Sequence, residues 1–335
     1  MKKIKGAVCI FSAVILSVGM LVGCGDNSPT TKNSSNQGNK NSYKEVAITD
    51  TLQGKKFREK FTEPPKRAVS LAGFTTEMML SLGLADDMVG RAYQDNKILD
   101  KLTNDYKKVP KLSDKNPSKE KLLSVQPDFL TGWDSSFSEK NFDREFCKKN
   151  DIKIYVPKSV ADNANIDMVY EDFEQLGKIF NVSQKADSII ESMKNQISDT
   201  QAKIKKFAVN PKRVFVYDSG EDAPFTASGG LAKDIIKLSG GKDIFDDVNK
   251  SWATVTWEEV VKRNPEYIII VDYDSSDDVK SKKQFLLSNP ALKNVDAVKN
   301  DKIFVVGLTD FEAGERDSNT VRKIAGELYP EAFKN

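Results

Sequence analysis

Aromatic rings and two arginines stand where the strands of this chain are expected to end. In the first half these residues are Phe74 and Thr75, Arg91 and Tyr93, Trp133 beside Asp134, and Tyr155. In the second half they are Tyr217 and Ser219, Phe225 and Thr226, Trp252, Tyr273 and Arg316. Parallel α/β sheets bind ligands beyond the carboxyl ends of their strands, which makes these residues candidate ligand contacts. Aromatic faces cover a flat apolar ligand, and arginine holds carboxylate, catecholate or phosphate oxygens in a bidentate fork. Each aromatic has an equally available plain role, packing as a loop residue on its own lobe. For Arg316 the plain role is an ion pair with Glu312, Glu315 or Asp317. Trp257 fits packing better than ligand contact, since it falls in the first turn of an expected helix.

Catalytic chemistry finds little support. There is no histidine among 335 residues, which excludes Ser-His-Asp and Cys-His sites, HExxH zinc sites and His-ligated haem. GxSxG, GxGxxG and GxxxxGK are absent as well. Asp272, Asp274, Asp277 and Asp278 crowd one segment, but no DxDxDG loop with a closing glutamate is present, so the segment reads as a solvated turn and no metal site is expected. The reading is a binding protein without enzymatic activity. A surface enzyme or receptor-like sensor on an α/β scaffold is the alternative of another class.

The elements that position the candidates announce themselves as a repeat. Residues 120–130 read Glu-Lys-Leu-Leu-Ser-Val-Gln-Pro-Asp-Phe-Leu, and residues 258–268 read Glu-Glu-Val-Val-Lys-Arg-Asn-Pro-Glu-Tyr-Ile. Each copy predicts a short helix ended by proline and followed by a buried strand. Ser118 is expected to cap the first helix, and Thr256 with Glu259 to form a capping box on the second. Short apolar runs alternate with helical patterns on either side, the signature of an α/β fold. We therefore expect two similar lobes with mostly parallel sheets and a ligand cleft between them. Residues 64–164 form the N-terminal lobe in this reading and 208–335 the C-terminal lobe. Between them, residues 165–207 carry apolar residues at three- and four-residue spacing with no proline. They predict two connecting helices, the second near 20 residues long and capped by Ser183.

The N-terminus reads as an export signal. Lys2, Lys3 and Lys5 precede an apolar run from Ile10 to Val22, too short for a good membrane span. Leu21-Val22-Gly23-Cys24 follows. Residues 24–63 are expected to form a flexible tether, with one strand-like segment at Val46–Leu52. Loss of residues 1–23 moves the net charge from +2 to −1, so the mature chain lacks the basic surplus of a nucleic-acid binder. Of the three cysteines, Cys9 leaves with the signal and Cys147 stands alone in the mature domain as a half-buried small apolar residue.

In this order and spacing the chain resembles the class III substrate-binding proteins of ABC importers, which deliver ferric siderophores, haem or cobalamin. The resemblance spans about residues 64–333. It rests on a lipobox-like Leu-Val-Gly-Cys24, on Pro-Lys-Arg-Ala-Val-Ser-Leu71 with Thr76-Glu77 and Leu82-Gly83, and on both Glu…Pro repeats. Leu238-Ser239-Gly240-Gly241, Gly314-Glu315-Arg316 and Leu328-Tyr329-Pro330 complete it. It implies lipid on Cys24, anchorage at the outer face of the cytoplasmic membrane, and one long helix that limits hinge opening. It also implies a permease, with its ATPase, as partner, docked by one glutamate from each lobe, Glu120 and Glu258. The family often has Asn after the arginine where this chain has Asp317. A monomer carrying no intrinsic cofactor is expected. The cargo put first is an Fe(III)–siderophore complex, since a chain without histidine suits a metal that arrives already chelated. Cobalamin or haem is the alternative within the family.

Overall fold

The computed structural model describes residues 43–334 except residue 95. The expected signal (1–23) and Cys24 lie outside them.

The described chain opens with an antiparallel hairpin, β1 (Val46–Leu52) and β2 (Lys55–Phe61). Only the first of these strands was expected, and the tether was expected to run to residue 63. Apolar residues explain the difference: Ile48, Leu52, Phe57 and Phe61 are all buried against the first lobe. Burying four such side chains offsets the cost of ordering the segment.

The first lobe contains β3 (Ala68–Ser70), α1 (Gly73–Ser81), β4 (Met88–Ala92), α2 (Thr103–Lys108), β5 (Lys111–Ser113), α3 (Lys119–Ser124), β6 (Phe129–Thr131), α4 (Arg144–Lys149) and β7 (Lys153–Tyr155). Its sheet is wholly parallel, in the order β5-β4-β3-β6-β7. The order reverses between β3 and β6, and the crevice beyond such a reversal is where open sheets take ligands.

Two helices follow, α5 (Ile166–Ile179) and α6 (Ser183–Ile204). At 22 residues, α6 is about 33 Å long. It buries Ala186, Ile189, Met193, Ile197, Thr200 and Ile204, one stripe at helical spacing. Ser183 does not cap it: Val182 holds that position, with no side-chain hydrogen bond.

The second lobe contains β8 (Lys212–Tyr217), β9 (Phe225–Ala227), α7 (Gly230–Leu238), β10 (Gly241–Asp243), β11 (Trp252–Thr254), α8 (Trp257–Arg263), β12 (Tyr267–Asp272), α9 (Ser276–Ser288), α10 (Asp296–Lys299), β13 (Ile303–Gly307) and α11 (Asp317–Leu328). Its main sheet is parallel, β10-β8-β12-β13, and β9 pairs antiparallel with β11. The fold is thus the two-lobed parallel α/β architecture expected. One apolar core runs through both lobes and takes in α5, α6, α7 and α11, and each sheet has a further apolar layer on its other face. Sheets covered on both faces explain the unbroken buried runs at Phe129–Thr131 and Tyr267–Val271.

Candidate functional site

Both repeat helices start as their sequences dictate. Ser118 Oγ accepts from the Lys121 N–H at 3.1 Å, and Thr256 Oγ1 from the Glu259 N–H at 3.3 Å. The capping box at Thr256 is only half formed, because Glu259 turns to Lys262 and Arg263. Glu120 and Glu258 are exposed in these first turns, where the helix dipole favours a carboxylate. The Glu120 carboxyl is held below the usual glutamate value, first by its own backbone N–H and then by Ser118.

Between the lobes lies a cavity of about 380 Å³. The first lobe contributes Phe74, Trp133 and residues 159–162; the second contributes Leu231, Lys250–Trp252 and Phe311–Ala313. Phe74 lies in the first turn of the helix after β3 and Trp133 follows β6, so the two flank the reversal of strand order. Their rings pack 4.6 Å apart at 55°. Chain path fixes the indole here: a Cβ on Gly132 would come within 2.9 Å of the Leu71 side chain, so the segment before Trp133 passes close over β3. Across the cleft, Trp252 stacks on Phe225 with centroids 5.8 Å apart and planes at 19°. Phe225 itself stands behind Trp252, 36% exposed.

Asp162 reaches across the cavity to Ser251, accepting from its N–H at 2.8 Å and from its hydroxyl at 3.0 Å. A second connection lies beyond β4. Tyr93 takes the left-handed conformation (φ 57°) as the chain leaves that strand toward the other lobe. There Asn96 Oδ1 accepts from the Thr309 N–H (2.9 Å) and hydroxyl (2.8 Å), and its Nδ2 donates to the Asp272 carbonyl (3.2 Å). Asp274 accepts from the Lys97 N–H in the same region.

Arg316 belongs to that connection and does not line the cavity. Its guanidinium bonds Glu77 through Nε (2.7 Å) and Nη2, and Asp310 through Nη1 (3.0 Å). Burial disfavours the charged guanidinium, yet Glu77 and Asp310 outweigh it and raise the pKa above the ordinary arginine value. The ion pair expected as the plain role exists, but with Glu77 and Asp310 in place of Glu312, Glu315 or Asp317. Asp317 is fully buried beside it, its carboxyl pushed well up by desolvation, and accepts from the Gly314 N–H at 3.1 Å.

The other candidates separate clearly. Phe74, Trp133 and Trp252 line the cavity. Thr75 is buried and bonds Ser70 and the Ala72 carbonyl, a helix-start role. Arg91 lies 3.6 Å over the Tyr106 ring, and burial lowers its pKa. Tyr155 donates to the buried Asp172 at 2.6 Å. Tyr217 belongs to the outer core layer of the second lobe, packed on Phe215 and Trp257. Ser219 bonds Asp218, and Tyr273 donates to Asp218 at 2.7 Å. Thr226 is buried within β9. Arg91, Tyr155, Tyr217 and Thr226 lie within strands or end them, and the partners named for these candidates lie outside the cavity lining. Trp257 packs as expected and donates to the Glu221 carbonyl at 2.6 Å. Cys147 is fully buried, and desolvation pushes its thiol up to about 12, so it is inert.

Asn96, Asp162, Ser251, Phe311 and Glu312 carried no signal of their own in the sequence. Glu77 did: it is the one charged residue in Phe-Thr-Thr-Glu-Met-Met-Leu, and every residue of α1 is buried. An acid in such a helix requires a partner.

Two parallel-sheet lobes, tied by one long helix and closed around an aromatic-walled cavity, define a substrate-binding protein. The chain belongs to the periplasmic binding protein family, whose model matches residues 69–307. Over 338 residues, covering all of both chains, it is 29% identical to YvrC of Bacillus subtilis, an uncharacterized ABC transporter substrate-binding lipoprotein. A solved periplasmic binding protein from Veillonella parvula is 36% identical and superposes with a TM-score of 0.82, covering 86% of this chain and 99% of that one. A vitamin B12-binding protein of Yersinia pestis is 25% identical over 208 residues, 61% of this chain and 69% of that protein.

Proposed function

We propose that this chain is the lipid-anchored, extracytoplasmic substrate-binding component of an ABC importer, and that its cargo is a corrinoid. The observation that carries the cargo is the chemistry of the cavity. Phe74, Trp133, Trp252 and Phe311 give it aromatic walls, and among the described residues no arginine lines it, while two acids, Asp162 and Glu312, and one lysine, Lys250, do. A flat, largely uncharged macrocycle suits that lining; an anionic chelate does not. The B12-binding relative supports the same class. Cargo of this kind is larger than the cavity, so its entry breaks the Asp162–Ser251 tie.

A ferric siderophore, the cargo favoured by the sequence, drew on Arg91 and Arg316 as ligand contacts, and both are engaged elsewhere. Lys250 keeps a hydroxamate-type siderophore as the second reading. Delivery through a permease engaging Glu120 and Glu258, and anchoring through Cys24, belong to the same proposal. So does the transport role itself, with no reaction catalysed. YvrC, similar over its whole length, supports this part.

The test is a thermal and fluorescence titration with cyanocobalamin and ferrichrome. A true ligand at a hundredfold excess over Kd stabilises the fold by about 2.7 kcal/mol. Stabilisation and tryptophan quenching by cyanocobalamin are expected. A response to ferrichrome alone selects the second reading, and silence to both refutes the cargo class.

A further inference from the structure

We infer that the tip of the N-terminal hairpin is a positioning element for the cleft, with Gln53 acting through Asp134 to orient Trp133. The inference rests on the reading that cargo occupies this cleft. The backbone N–H of Gln53 donates to Asp134 Oδ1 at 3.0 Å. Its side-chain Nε2 donates to the Asp134 carbonyl at 3.0 Å and also to Oδ2. One glutamine therefore holds both the side chain and the main chain of the residue that follows Trp133, 81 positions away.

The turn is built at a conformational cost that the contact explains. Leu52 pairs with Lys55, so Gln53 and Gly54 form a two-residue turn, with φ of 49° and 73°. Asn-Gly is the ordinary choice for such a turn, because the first position also takes φ above zero. A longer amide in its place is strained without gain to the hairpin, and left-handed non-glycine residues point to local function. What the extra methylene supplies is reach to Asp134.

The apolar side of the hairpin grips the same segment. Leu52 and Phe57 share a core layer with Phe137, which ends the single helical turn that Asp134 begins. Trp133 is thus fixed from two directions, by Phe74 against its ring and by the hairpin against its neighbour. The positioning residues are Gln53 and Asp134; the ligand contact is Trp133.

The full chain labelled with 5-fluorotryptophan has three ¹⁹F resonances, from Trp133, Trp252 and Trp257, and Trp133→Phe assigns the relevant one. Gln53→Asn keeps the turn and shortens the reach, while Asp134→Ala removes the acceptor. Without ligand, both variants are expected to shift and broaden the Trp133 line and leave that of Trp257 in place. Both are expected to weaken cyanocobalamin, or ferrichrome if that is the probe bound, by about tenfold, read as Kd. An unmoved Trp133 line in both variants overturns the inference, and so does a moved line with unchanged affinity. If the wild-type chain binds neither probe, the cargo reading fails, and the Trp133 line alone decides the positioning role.

Discussion

Arg316 Nε lies 2.7 Å from Glu77 Oε1, joining two residues 239 positions apart on opposite lobes. The side chain of Glu77 is 2% exposed and that of Arg316 11%. Removing one member of so buried a pair strands the other charge. Arg316→Ala is expected to cost about 3–5 kcal/mol, read from urea unfolding. Glu77→Gln, which keeps hydrogen-bonding capacity, should cost less. A loss under about 1 kcal/mol for Arg316→Ala, the level of an exposed pair, would sink the claim.

Gly229 lines the cavity where α7 begins, and a Cβ there would stand 2.4 Å from the Lys250 carbonyl oxygen. That oxygen and its carbonyl carbon, 2.9 Å from the same Cβ, are backbone, so the clash cannot be relieved by rotating a side chain. Gly229→Ala should destabilise by about 1–3 kcal/mol through overpacking and should also weaken ligand binding, because the added methyl presses on Lys250–Trp252, which line the cavity. Denaturant melts and a titration check the two effects together; wild-type values for both would show that the wall is free to shift.

Asp172 holds the 158–160 segment of the cleft wall. Its Oδ1 accepts from the Tyr155 hydroxyl (2.6 Å) and the Lys158 N–H (2.8 Å), and its Oδ2 from the Ser159 N–H (3.0 Å) and hydroxyl. Full burial raises its pKa from 3.8 to about 6 despite these bonds. Between those values the folded state binds more proton than the unfolded, so stability falls as pH rises from about 4 to about 6 and is level above. The full drop is roughly 3 kcal/mol. Asp243, raised by desolvation to about 7, adds a drop of the same sign over about pH 4–7. Asp172→Asn, less stable overall, should show a shallower decline from pH 4 to 7 in chemical unfolding. An unchanged slope refutes the assignment.

Glu120 and Glu258 do not line the cavity, and both are exposed at helix starts. Replacing both by alanine should abolish uptake of labelled ligand in cells while leaving its Kd unchanged. Each single replacement should mainly slow association with the permease, more so at low salt. Normal uptake by the double variant would remove the docking role.

Much of this protein is determined locally and is visible in the chain. The repeat at 120–130 and 258–268 specifies two parallel-sheet lobes because helix caps, prolines and buried strand runs are short-range signals. The 22-residue α6 is visible through its apolar stripe, and the cleft aromatics Phe74 and Trp133 through their place after strands, whereas Trp252 opens β11. The return strand of the hairpin is not legible because Phe57 and Phe61 sit among charged residues and gain their value only against the N-terminal lobe. The ion-pair partners of Arg316 are not legible for a related reason: Glu77 is 239 positions away and reaches it only once the lobes meet. Tyr217 and Arg91 lie at the carboxyl ends of strands and Tyr273 follows one, as ligand contacts would, but side-chain direction there is set by packing with distant elements. The order of the elements was therefore written in the sequence. Which side chains face the cleft, and which are spent holding the lobes together, was decided by tertiary structure, because burial and charge pairing depend on neighbours far away in the chain.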